Sequence, residues 1–116
     1  MSSSPESPSI ERRHHQRVVF NGTATLQVQS TEMPVRTRNV SVGGISVLAS
    51  HEVPTDTGCI VHVAIPDGDG EKRVALQARV VNSTFNKIEG GFMVSLQFIK
   101  LSANVAATIA RFMKSR

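Results

Sequence analysis

Hydrophobic and polar residues alternate along most of the chain. Ala24, Leu26 and Val28 alternate with Thr23, Thr25 and Gln27, and a period of two marks a strand with one buried face. Asn21-Gly22, just ahead, reads as a turn that separates this strand from the apolar run Val18-Val19-Phe20. Val35, Thr37 and Asn39 alternate with Arg36 and Arg38 in a second strand, which Gly43-Gly44 interrupts. A third begins with Ile45, Val47 and Leu48. A fourth runs from Cys59 to Ile65, with Val61, Val63 and Ile65 on one face. The dense turn signal Pro66-Asp67-Gly68-Asp69-Gly70 follows. Val74, Leu76, Ala78 and Val80 then alternate in a fifth strand, and Gly90-Gly91 opens a sixth with Phe92, Val94, Leu96 and Phe98 on one face.

The period changes at the end. From Ser102 the apolar positions are Val105, Ile109, Phe112 and Met113, at helical steps of three and four. Ser102 can cap the helix, because its hydroxyl satisfies a free backbone donor. Arg111, Lys114 and Arg116 lie where positive charge suits the helix dipole. The expected fold is therefore all-β: six short antiparallel strands closed into a barrel or folded as a sandwich, plus a C-terminal α-helix across one end or side. Closure removes the exposed edges that threaten a small sheet protein.

Composition agrees with one domain. Of 116 residues, 40% are hydrophobic, and the aromatics are five Phe with no Tyr or Trp. The core must then be mostly Val, Ile, Leu and Ala, side chains that suit a pleated surface. Residues 1–10 are Ser/Pro-rich and almost free of core formers, so a disordered arm is expected there, with the folded domain over 11–116. There is no apolar run of membrane-spanning length and no signal-like start, so the reading is a soluble, cytoplasmic chain. One cysteine, Cys59, excludes an internal disulfide. The net charge of +4 favours an anionic partner, and its placement matters more than its size. Arg12, Arg13 and Arg17 cluster with His14 and His15 ahead of the first strand.

Two motifs carry chemistry. The first is Arg13-His14-His15-Gln16-Arg17, with Arg12 just ahead. A guanidinium offers five donors and a permanent charge. It can clamp a phosphate or the Hoogsteen edge of guanine with two parallel hydrogen bonds. The second is Asn39-Val40-Ser41-Val42-Gly43-Gly44, at a strand end. Its side chains can bond a base edge or a phosphate, glycine lets a ligand approach the backbone, and successive amides can form an anion nest. Taken singly, each motif reads better as something ordinary: a solvated basic run beside a tail, and a Gly-Gly turn.

Together and in this order, they resemble the PilZ domain family. That family carries Arg-x-x-x-Arg on an N-terminal switch segment and Asp/Asn-x-Ser-x-x-Gly on a strand-end turn further along. The stretch Gly90-Gly91-Phe92-Met93-Val94-Ser95-Leu96-Gln97-Phe98 is similar to a Gly-then-aromatic strand of these domains. The resemblance spans nearly the whole chain. It implies a split, six-stranded antiparallel β-barrel with a C-terminal helix, and a receptor for cyclic di-GMP that needs no cofactor. It implies that Arg13 and Arg17 hold phosphates and guanine edges, that Asn39, Ser41, Gly43 and Gly44 line the other wall, and that Arg12 allows two intercalated ligand molecules. Asn39 stands where the family more often has Asp, which keeps an acceptor and loses a charge. Ligand binding is then expected to fix the switch segment and signal to a protein partner, not to DNA.

Other chemistry finds little support. His14, His15, His51 and His62 match no metal-ligand spacing. Cys59 has no base or oxyanion site in view and reads as a core residue. Asp67, Asp69 and Glu71 share one wet turn, whereas acid–base pairs need different environments. No enzyme is expected. Two rival functions remain: an adaptor of the same fold without nucleotide binding, and a single-stranded nucleic-acid binder, for which five Phe in mainly buried phases offer few stacking platforms.

Overall fold

A computed structural model describes residues 16–116. The arm expected at 1–10, and Arg12, Arg13, His14 and His15 of the first motif, lie outside the described residues. Six strands follow in order: β1 (Val18–Val28), β2 (Thr31–Val40), β3 (Gly44–Ala49), β4 (Gly58–Asp67), β5 (Gly70–Asn86) and β6 (Gly91–Lys100). The helix α1 (Ala103–Lys114) ends the chain. All pairings are antiparallel, and the strands close in the ring β1-β2-β3-β6-β5-β4.

The alternation read from the sequence sets the inward face. Leu26, Val35, Ile45, Val47, Val61, Ile65, Leu76, Val80, Val94 and Leu96 are all buried, with Phe92 and Phe98 packed against this core at its margin. Cys59 is buried in it too, and burial pushes its thiol pKa up to about 11, which makes it a poor nucleophile at neutral pH.

Asn21-Gly22 is not a turn. β1 runs through it, with a shift in register against β2 between Val19 and Gly22, so glycine here marks a β-bulge. The hairpin turn lies at Gln29-Ser30, between the paired Val28 and Thr31, where Gln29 takes a left-handed backbone (φ 56°). β5 also continues past Val80, to Asn86.

Ser102 caps α1 as expected, its Oγ accepting the Val105 amide at 3.2 Å. Ile109 and Phe112 face the barrel, and Phe112 meets Phe20 edge to face, with centroids 5.1 Å apart. Arg111 does more than complement the helix dipole. Its Nε and Nη2 each donate to Asp67 at the β4–β5 turn, both at 3.1 Å. This hydrogen bonding holds the Asp67 carboxyl below its usual pKa. Among the described residues, no helix is long and apolar enough to cross a membrane.

Candidate functional site

The end of the first motif, Arg17, meets the second on the outside of the barrel. Arg17 immediately precedes β1 and is exposed. Its Nη1 donates to Asn39 Oδ1 at 2.7 Å and to Ser46 Oγ at 3.0 Å. Asn39 is the penultimate residue of β2 and lies opposite Val19 on β1 and Ser46 on β3. It faces outward because β2 carries an extra residue, Arg38, against β3 between Thr37 and Asn39, and a bulge re-aims the side chains beside it. Arg38 itself pairs with Glu89 at 3.1 Å, tying the β5–β6 turn to the strand that carries Asn39.

The β2–β3 turn is built by Ser41. Its hydroxyl is buried and accepts the amides of Gly43 and Gly44, each at 3.1 Å, while the Ser41 amide donates to the Gly44 carbonyl at 2.8 Å. The amides read from the sequence as an anion nest are thus taken up within the turn. Neither glycine has a positive φ. Gly44 is required for another reason: a Cβ there would fall on the Leu96 carbonyl oxygen of β6. Gly43 accepts the Phe98 amide at 2.9 Å, which fastens the turn to the same strand.

The structure therefore brings Arg17 and Asn39 into direct contact, with Ser41, Gly43 and Gly44 forming the rigid rim beside them. Arg12 and Arg13 lie outside the described residues. Ser46 was missed in the sequence. Its only signal is a polar residue between Ile45 and Val47, and its relevance appears once the register places it opposite Asn39. Among the described residues, no cluster of His, Cys, Asp or Glu could hold a metal ion. Phe85 is the one clearly exposed Phe; the other four are buried or half-buried.

Comparison with known proteins bears on the whole chain. A sequence model described as the PilZ domain matches residues 11–115. None of the curated proteins compared with the sequence matches it. Among solved structures, the inhibitor of motility MotI/DgrA of Bacillus subtilis superposes with a TM-score of 0.79 at 16% identity, covering 90% of this chain and 51% of that one. YcgR from Escherichia coli, in complex with c-di-GMP, gives 0.68 at 15% identity, covering 90% and 45%. The PilZ domain of CeSA from a cellulose-synthesizing bacterium gives 0.63 at 15% identity, covering 86% and 96%. The chain thus spans about half the length of the MotI and YcgR chains. With its whole barrel and helix inside the matched span, the chain belongs to the PilZ domain family.

Proposed function

We propose that this chain is a receptor for cyclic di-GMP, a binding protein and not an enzyme. The observation that carries the reading is the reach of Arg17 onto Asn39 and Ser46, 22 and 29 residues further along the chain. It joins the end of the Arg-x-x-x-Arg motif to the Asn-x-Ser-x-x-Gly turn. Solved structures of similar fold from Escherichia coli and Borreliella burgdorferi hold c-di-GMP, which supports the same ligand here.

In this reading Arg13 and Arg17 clamp phosphate and guanine. Asn39 offers its Nδ2, whose Oδ1 already accepts from Arg17. Ser41, Gly43 and Gly44 hold the rim against which the ligand lies. Arg12 adds a cation for a second, intercalated ligand molecule. Each charge-assisted hydrogen bond contributes about 1.5–3 kcal/mol, less the cost of ordering the segment that brings it. Arg17 sits three residues before Phe20, which packs on Phe112 of α1. Fixing Arg17 therefore bears on how β1 meets the helix, a route by which occupancy is presented to a protein partner.

Calorimetric titration of the chain with cyclic di-GMP tests this. Arg13→Ala and Arg17→Ala each lose at least about 100-fold in affinity, the worth of two such bonds at the low end of that range, and keep the melting temperature. Arg12→Ala lowers the stoichiometry from two ligands to one. An unmodified chain that ignores cyclic di-GMP at micromolar concentrations, or arginine variants with unchanged affinity, would defeat the proposal.

A further inference from the structure

The contact between Arg17, Asn39 and Ser46 is the start of a longer polar row. Ser46 lies opposite Ser95 on β6, and Ser95 lies opposite Asn82 on β5. Asn39, Ser46, Ser95 and Asn82 thus form one line across four adjacent strands of the outer face. At the usual strand spacing, its ends lie about 14 Å apart.

Both ends of this line are set by bulges. β2 carries an extra residue beside Asn39, and β5 carries one, Val81, between Val80 and Asn82. Val81 is pushed out to 46% exposure. β1 is bulged as well, just past Val19, which lies opposite Asn39. Bulges cluster where a sheet must aim a side chain, and three strands bulge at this one level. The far end is also oriented. Thr84 Oγ1 donates to Asn82 Oδ1 at 3.2 Å, so the Asn82 acceptor is engaged and its Nδ2 donors face outward. In the major-groove code an Asn reads adenine by donating to N7 and accepting from N6; with its acceptor already engaged, Asn82 is left as a donor only, which suits guanine, whose O6 and N7 are adjacent acceptors.

We propose that Ser46, Ser95 and Asn82 continue the ligand site across β3, β6 and β5, with Asn82 reading the Hoogsteen edge of a guanine whose phosphate is held at Arg17. This rests on the receptor reading above and extends it with a residue outside both motifs. Asn82 is exposed, so its substitution leaves the fold intact.

The test is a double-mutant cycle by calorimetry on the full chain, using cyclic di-GMP and its 7-deaza analogue, which lacks N7. Asn82→Ala is expected to lower cyclic di-GMP affinity about tenfold, and Asn82→Asp by more, because it sets an acceptor against acceptors. The analogue should bind the unmodified chain about tenfold more weakly and lose little further in Asn82→Ala, the coupling expected of partners in contact. Equal losses for the two ligands, or unchanged affinity in both Asn82 variants while Arg17→Ala still weakens binding about 100-fold, would overturn the Asn82 assignment alone. Failure of the unmodified chain to bind cyclic di-GMP would overturn the receptor reading with it.

Discussion

The β4–β5 hairpin and the β2–β3–β6 face are built from the same kinds of residue and behave differently. Between β4 and β5 the register runs unbroken from Gly58 opposite Arg79 to Asp67 opposite Gly70. Inward residues are apolar, outward ones mix polar side chains with Ile60, Ala64 and Ala75, and the turn is tied to α1 through Asp67 and Arg111. On the other side the ladders of β2 with β3 and of β5 with β6 both slip, and polar side chains gather beside the slips. Regular pairing maximises hydrogen bonds and burial. Irregular pairing gives up some of each to place particular groups. One half of the barrel thus secures the fold, and the other uses that security to hold the proposed site.

Three substitutions would sharpen or break this division. Leu76→Ala, deep in the regular half and opposite Val61, is expected to cost about 2–5 kcal/mol. The melting temperature should fall sharply while the protein that remains folded binds ligand normally. A parallel loss of affinity in calorimetry would show that the two halves are not separate. Gly44→Ala should affect both properties, because the new methyl group collides with the β6 backbone under the rim. We expect about 1–3 kcal/mol of destabilisation and more than tenfold weaker cyclic di-GMP binding. A stable variant with full affinity would show that the close approach of β3 and β6 is not needed.

The smallest effect concerns the tie to the helix. The Asp67 carboxyl has its pKa lowered by Arg111, so its contribution is present above the ordinary carboxylate range and is lost as the pH falls through the depressed folded value. Asp67→Asn should lower the melting temperature slightly at neutral pH and flatten its acid dependence. An unchanged acid profile would mean that this pair, largely open to water, contributes little.

Most of the fold was legible because burial imposes period two on strands and steps of three and four on the helix. Val61, Val63 and Ile65, or Leu76, Ala78 and Val80, could hardly face any other way. What stayed hidden lay in register. Asn21-Gly22 is a common hairpin turn in sequence, yet the chain turns instead at Gln29-Ser30, where no residue type announces it. The ends of β2 and β5 read as simple alternation, and the added Arg38 and Val81 that re-aim Asn39 and Asn82 emerge only when neighbouring strands are aligned. For the same reason the sequence singles out the motif residues Asn39, Ser41 and Gly44 by type and spacing, and does not single out Ser46. The roles of the glycines changed too: spacing suggested a cradle for an anion, whereas Gly44 makes room for another strand.

The ring is joined unequally. β4 is laced to β5 from Gly58 to Asp67, whereas β1 meets β4 only from Ala24 to Gln27. Upstream of Ala24, β1 is held by β2 on one flank and by the Phe20–Phe112 contact. The barrel therefore has a seam, and the segment leading back to Arg17 forms one of its lips. Displacing that lip would open a single strand joint, that of β1 with β2 upstream of Ala24, and leave the other joints of the ring closed.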